Sequence, residues 1–385
     1  VIGAGYGGAT AARYIKEWSP DIDVTVVERD TQFVSCPLSN LVLGGNTQIG
    51  NLTMGYGRLN ARGVRVVRDE AVAVDPGARQ VRLKTGHKLP YDRLIVSPGV
   101  DFDPVRGLES ADAQSRVLHA WKAGPQTVAL RKQLEAMPDG GVFVFHIPMV
   151  PYRCPPGPYE RVCQVADYFR RSKPKSEIVV LDSNPDFASK KGLFLQSWNG
   201  VYKGMIDYRP NSELQEVDAK TLTAKLTFDS VKADVLNVVP PQRAGAIARS
   251  AGLITANQRW CGVDWKTCES VAVKGVHVLG DATLSASGMP KSASMANQQA
   301  KVCAAAVIAL IKGQPVNPQP MMMNTCYSFV DAKNVMHVAS VHIYDEAQKT
   351  MVQVKGSGGL SPKASELEGT YAWGWAKNIW AEAFG

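Results

Sequence analysis

Short apolar runs recur along the chain between helical patterns, and a strict apolar/polar alternation replaces them near the C-terminus. Val1-Ile2 reads as the end of a strand and a helical pattern follows to about Trp18. Ile22-Asp23-Val24-Thr25-Val26-Val27 then reads as a strand ending at Glu28. Further strands are predicted at Tyr91–Val96, Gly141–His146, Glu177–Asp182 and Gly275–Leu279. A helix rich in small residues is predicted after Ser287–Ser294, through Cys303 to about Ile311. Met336–Tyr344 alternates with period two, as a strand with one buried face does. The stretch Gly313–Pro320 is proline-rich and reads as a linker. No apolar run approaches the roughly 18 residues of a spanning helix, so no transmembrane segment is expected. The chain opens inside a strand, so upstream residues are expected, and any signal peptide with them.

At 385 residues, 45% hydrophobic and 20% charged, the chain has room for two or three domains with proper cores. The net charge is +8, from 43 basic and 35 acidic residues, but the basic residues are scattered. The densest cluster is Arg170-Arg171-Ser172-Lys173-Pro174-Lys175, and no basic stripe is interleaved with aromatics. That argues against nucleic acid, while a mildly basic surface suits an acidic protein partner. Seven cysteines are present: Cys36, Cys154, Cys163, Cys261, Cys268, Cys303 and Cys326. None pair as Cys-x-x-Cys and histidines are few, so no metal site is expected. Without Cys-x-x-Cys-His the chain cannot carry a c-type haem itself.

Gly3, Gly5 and Gly8 give Gly-x-Gly-x-x-Gly between a strand and a helix, and the next strand ends at Glu28, followed by Arg29. That context is a dinucleotide-binding unit, with the helix N-terminus facing phosphates and Glu28 on a ribose hydroxyl. Two later segments resemble the closing motifs of flavoproteins with two dinucleotide domains: the turn carrying Ser97 and Gly99, and Gly280-Asp281. The resemblance places Asp281 on the ribityl chain of FAD. It also places Lys291 and Ser292 at a helix start facing the flavin ring. After the strand at Gly141–His146 a second glycine loop ought to follow. Instead the chain reads Pro151-Tyr152-Arg153-Cys154-Pro155-Pro156-Gly157-Pro158-Tyr159-Glu160. Proline offers no N–H to a phosphate, so this reads as a nicotinamide site lost and a thiol site installed.

Those pieces, with Cys36-Pro37-Leu38-Ser39-Asn40, Asn324-Thr325-Cys326-Tyr327-Ser328 and the tail ending at Trp380–Gly385, resemble the flavoprotein subunit of flavocytochrome c sulfide dehydrogenase from end to end. The resemblance implies an α/β fold with two Rossmann-like dinucleotide-binding domains of the disulfide-reductase type plus a C-terminal α+β domain. The expected division is 1–111 with 239–315 for FAD, 112–238 for the second nucleotide-type domain, and 316–385 for the C-terminal interface domain. It implies FAD bonded covalently through Cys36, and a redox-active disulfide between Cys154 and Cys326. A Cys154–Cys163 pairing is the rival. Glu160 is the expected acid/base, and Trp380 is expected near the flavin, with Trp373 and Trp375 close enough in sequence to be confused with it. The implied reaction takes sulfide to zero-valent sulfur or polysulfide and passes electrons to haem c on a separate cytochrome subunit, in a heterodimer in the periplasm. Cys261 and Cys268 flank a short loop and are expected to form a structural disulfide, leaving Cys163 and Cys303 as buried thiols. The competing readings are a sulfide:quinone reductase, a pyridine-nucleotide oxidoreductase and a non-catalytic scaffold.

Overall fold

A computed structural model describes residues 1–385. The first sheet is built around the N-terminus, where Ile2 bridges Val27 and Val96 in parallel. Strand Thr25–Glu28 pairs in parallel with Arg65–Arg68, and Leu94–Val96 pairs in parallel with Val276–Val278. Residues from both sides of the middle of the chain therefore share one sheet. Its central valines are buried on both faces, which is why these strands read as continuous apolar runs. The strand after the first helix is shorter than its pattern, because a turn takes up Pro20–Ile22 and pairing begins at Thr25.

Helix Tyr6–Trp18 starts directly after the glycine loop and lies against helix Ala293–Ile311. Ala9 and Ala12 of the first and Ala300 and Ala304 of the second are fully buried in one cluster, so small side chains let the backbones approach. The last glycine of the loop is fixed by contact: a Cβ on Gly8 would stand 1.9 Å from the Gly3 carbonyl oxygen.

The second sheet is fully parallel, in the order Ile206–Arg209, Glu177–Asp182, Val142–Ile147, Val235–Val238. Helix Gly157–Ser172 packs its Val162, Ala166 and Phe169 into the same core as Phe143 and Phe145 of this sheet. The third unit is antiparallel. Met321–Phe329 pairs with Val335–Asp345, placing Cys326 opposite Val338. The aromatic tail is a helix, Glu366–Phe384, started by Ser365, whose Oγ accepts from Glu368 N at 3.3 Å. Its Ala372 and Ala376 pack on Leu38 and Leu41, and Phe384 stacks on Phe33 at 4.5 Å. The tail therefore closes over the first unit. No helix is long and apolar enough to cross a membrane.

Gly8→Ala is expected to lower stability by about 1–3 kcal/mol or more through forced overpacking. Gly50→Ala, where an added Cβ meets nothing within 4 Å, is the matched control. Denaturant midpoints for the two variants check this, and equal midpoints would contradict the contact.

Candidate active site

One cavity of about 990 Å³ opens where the three units meet, at the upper end of the roughly 300–1,000 Å³ usual for ligand sites. Gly3 and Gly5, Glu28 and Arg29, and Ser97 and Gly99 lie on its wall. So do Cys36, Cys154, Glu160, Asp281, Lys291, Ser292 and Cys326. Gly8 is buried beside Gly3 and does not reach the wall.

The wall is shaped for a dinucleotide. Glu28 accepts from Ala4 N at 2.7 Å and Asp30 N at 2.9 Å, which fixes its carboxylate beside the glycine loop. Asp281 Oδ1 is buried without a hydrogen-bond partner, as is Trp121 Nε1. Buried polar atoms are normally paired, so an orphan acceptor and an orphan donor on one wall fit the hydroxyl and carbonyl groups of a ligand. Burial pushes the Asp281 carboxyl up, and Arg153, 4.0 Å away, draws it back. Ser292 Oγ caps helix Ala293–Ile311 by accepting from Met295 N at 3.0 Å, and that helix brings its positive end to the wall. These residues fit FAD, with Asp281 for a ribityl hydroxyl and the glycine loop for the pyrophosphate.

All seven cysteines are free thiols. Cys36 Sγ accepts from Arg153 Nη2 at 3.2 Å and from Ala123 N at 3.5 Å, so it is held on the wall. Cys154 has a left-handed backbone, φ +57°. Its N donates to the Lys291 carbonyl at 2.7 Å and its own carbonyl accepts from Gly157 N at 2.8 Å. Such backbone conformations persist only where surroundings enforce them, and they cluster at functional sites. A Cβ on Gly157 would come within 2.9 Å of Cys154 Sγ, so the helix must start with glycine for the thiol to sit there. Cys326 lies on strand Met321–Phe329, its Sγ donating to Asn324 Oδ1 at 3.5 Å. Cys154 and Cys326 are close enough for the charge of one to act on the other. Burial pushes both thiols up, and Lys190 pulls both back.

Glu160 is buried in the first turn of its helix. Its Oε2 accepts from Asn40 Nδ2 at 2.8 Å and its Oε1 from Phe329 N at 2.8 Å. Burial pushes this carboxyl above the usual range against those two donors and the charges of Lys190 and Arg161. Three cations on or behind this wall escaped the sequence reading. Arg153 stands beside Cys154 in a proline-rich loop, where nothing in its spacing marks it. Arg161 follows Glu160 and donates to Asn40 Oδ1, to Asn237 Oδ1 and to the carbonyls of His119 and Ala120. Lys190 lies in Ser189-Lys190-Lys191-Gly192, a stretch with the look of a solvated turn, and nothing in its spacing marks it.

The matching corner of the second sheet is sealed. Asp182 ends a strand there as Glu28 does in the first sheet, but its Oδ2 accepts from Tyr159 and Tyr208 hydroxyls at 2.9 and 3.0 Å. Its Oδ1 accepts from Asn184 N and Nδ2. The carboxylate is fully buried and fully used, so no acid is left for a second ribose.

Two expectations, the Cys261–Cys268 bridge and the Lys291 ammonium at the flavin, are corrected, and the rival Cys154–Cys163 pairing is excluded. Cys261 and Cys268 are not bonded; they lie in different core clusters, and Cys268 faces Cys303 instead. Cys163 is not a partner of Cys154: it is fully buried and accepts from Trp198 Nε1 at 3.3 Å. Trp380 stands one residue back from the cavity: its Nε1 donates to Tyr6 Oη at 3.0 Å, and Tyr6 and Trp375 are on the wall. The Lys291 ammonium is turned onto the carbonyls of Asp281 and Thr283 and over the Trp260 ring at 3.7 Å, so its contribution to the site is its own carbonyl, which holds Cys154. The Cys154–Cys326 pair is present as two thiols on one wall, unbonded.

A dinucleotide cavity with a helix end and two thiols on its wall, in a scaffold of two parallel sheets, defines an FAD-binding flavoprotein of the disulfide-oxidoreductase class. Residues 1–131 match the pyridine nucleotide-disulphide oxidoreductase family. Residues 127–240 match the central region of the sulfide dehydrogenase (flavocytochrome c) flavoprotein chain, and residues 318–384 match the flavin-binding region of flavocytochrome c sulphide dehydrogenase. The chain belongs to the flavocytochrome c sulfide dehydrogenase flavoprotein family. It is 52% identical to the sulfide dehydrogenase (flavocytochrome c) flavoprotein chain of Chlorobaculum thiosulfatiphilum over 42 residues, 11% of this chain and 88% of that sequence. It is 25% identical over 334 residues to the mitochondrial sulfide:quinone oxidoreductase of Dictyostelium discoideum, 82% of this chain and 72% of that one. In fold it is similar to the solved sulfide:quinone oxidoreductase of Aquifex aeolicus, with a TM-score of 0.79 at 16% identity over 99% of this chain and 90% of that one.

A carboxyl whose folded pKa is raised is a stabilising partner only while protonated, and the advantage is lost as pH rises through its titration. The stability of Glu160→Gln relative to the parent is therefore expected to increase as pH rises from about 4, the ordinary glutamate range, toward about 8. Urea denaturation across that window checks it. A difference that does not change with pH would mean the carboxylate is buried without cost.

Proposed function

We propose that this chain is the sulfide-oxidising flavoprotein of a flavocytochrome, converting hydrogen sulfide to zero-valent sulfur or polysulfide and passing electrons to a c-type cytochrome subunit in the periplasm. The observation that carries the reading is the wall itself: Cys154 and Cys326, far apart in the chain, face one cavity together with Cys36, Asp281 and the buried Glu160.

In the oxidised enzyme Cys154 and Cys326 are bonded to each other. Hydrosulfide, already largely anionic near neutral pH, attacks one sulfur; a new S–S bond forms, the old one breaks, and the other sulfur leaves as thiolate. Bound FAD supplies the two-electron acceptor beside the pair. Over one cycle HS⁻ gives S⁰, H⁺ and two electrons, and the disulfide is restored. Glu160, buried and held above its ordinary pKa, takes up the released proton. Cys36, fixed on the wall by Arg153 and Ala123, is the proposed covalent anchor of the flavin.

The cytochrome acceptor is supported by the family, whose matched regions bear the name of the cytochrome-linked enzyme. The second reading, a quinone acceptor, is favoured by the long similarity to a sulfide:quinone oxidoreductase. A disulfide that must persist between turnovers suits an oxidising compartment, which supports the periplasm.

In anaerobic stopped flow, sulfide is expected to bleach the flavin, and cytochrome c but not soluble quinone is expected to restore it. Reoxidation by quinone alone would move the acceptor to the second reading, and absence of bleaching would remove the sulfide reaction. Cys326→Ser is expected to slow bleaching about 10³-fold or more, as loss of an essential group of a covalent cycle does. Acid-precipitated parent protein is expected to stay yellow while Cys36→Ala releases its colour; a yellow variant precipitate would remove the covalent link.

A further inference from the structure

Lys190 is a buried ammonium whose hydrogen-bond partners are all neutral. It sits immediately before helix Lys191–Asn199 in a left-handed conformation, φ +55°. Its Nζ donates to the Cys326 carbonyl at 2.6 Å, to Ser328 Oγ at 2.9 Å and to the Met336 carbonyl at 3.2 Å. Three acceptors for three N–H donors describe the protonated amine. A charge buried on neutral acceptors alone is costly unless an anion is present for part of the cycle. The left-handed backbone delivers that charge to the strand of Cys326, whose own carbonyl it holds.

We propose that Lys190 is a positioning residue that supplies the counter-charge for a thiolate on Cys326, and so directs hydrosulfide onto Cys154. The inference rests on the sulfide reading above. In disulfide exchange the sulfur whose thiolate is better stabilised is the better leaving group, and attack falls on its partner. Lys190 is tied to the carbonyl of Cys326 itself, and it is the foremost charge opposing the effect of burial on that thiol. On Cys154 it acts behind the opposing charges of Cys326 and Glu160. Attack on Cys154 forms a persulfide on its Sγ, breaks the Cys154–Cys326 bond and leaves the electron pair on Cys326, the residue whose carbonyl the ammonium holds. No atom or electron is left over. The other groups facing Lys190 are Glu160 on helix Gly157–Ser172, Cys154 before it, and Glu368 on the C-terminal helix; all are acidic and hold the amine protonated against burial. Arg153 also acts on Cys154 and remains in every variant below.

The test is alkylation of the reduced holoenzyme with limiting iodoacetamide across pH, with modification at Cys154 and Cys326 read by peptide mass spectrometry. In the parent, Cys326 is expected to react ahead of Cys154 and at lower pH. Lys190→Met is expected to move the Cys326 profile up by about one pH unit or more and erase the order, while Lys190→Arg keeps it. Where Lys190→Met does not accumulate as folded protein, Lys190→Gln retains an N–H donor for the strand and carries the same comparison. Coincident profiles for folded parent and neutral variants would overturn the proposal, as would Cys154 reacting first in the parent. Sulfide bleaching is read in the same preparations. Bleaching with coincident profiles removes Lys190 and leaves the sulfide reading. No bleaching, with the shift present, removes the sulfide reading and leaves the counter-charge.

Discussion

The carboxylate of Glu160 joins the three parts of the molecule. It is carried by the helix over the second sheet, accepts from Asn40 of the first unit and from the Phe329 amide of the third, and is buried at their junction. Neither Cys36 nor Cys326 could be held opposite Cys154 if these contacts opened. Asn40 closes the short loop that begins at Cys36, and Phe329 ends the strand that carries Cys326. A buried acid that satisfies donors from two other units costs desolvation, and that cost is offset only when all three units are assembled. The site and the assembly of the fold are therefore one structural event.

Around this acid the interior holds more buried cations than buried anions. Lys190, Lys291 and Arg161 are buried on carbonyls, hydroxyls, amides and aromatic faces, and none forms an ion pair with a carboxylate. Buried cations of this kind favour negative charge brought in from outside or formed during reaction. A dinucleotide pyrophosphate, a thiolate and hydrosulfide all carry such charge. The same argument explains why both thiols are pushed up by burial yet sit where thiolate chemistry is proposed: the empty positive field lowers the cost at the moment the charge appears.

Motifs with local geometry were readable from the sequence. The glycine loop, Glu28, Asp281 and the proline-filled loop are each defined by neighbours within a few residues, and the structure brings all of them to one wall except Gly8, which supports it from beneath. Residues whose role depends on long-range packing were not readable. Lys190 acts through a strand more than a hundred residues away, and its own neighbours in sequence look like a surface turn. The same limit explains Cys261 and Cys268, where close spacing suggested a bridge but the intervening loop places the two sulfurs in separate cores, and Trp380, whose helical phase turns it toward Tyr6 while Trp375 faces the cavity. Spacing along a chain fixes distance only when the intervening backbone is regular and its facing known.

The sealed corner of the second sheet shows why a thiol pair belongs where it is. In a two-nucleotide flavoprotein, electrons reach the flavin from a nicotinamide held at the second sheet, using an acid at a strand end and a glycine loop. Here Tyr159 and Tyr208 occupy that acid, and the loop that would hold phosphate instead aims Cys154 into the flavin cavity. Tyr159, Glu160 and Arg161 are consecutive: the first closes the old entrance, the second ties the units together, and the third clamps the loop that includes Trp121. One helical turn thus closes the acid that a second ribose would use and ties together the units that form the cavity wall.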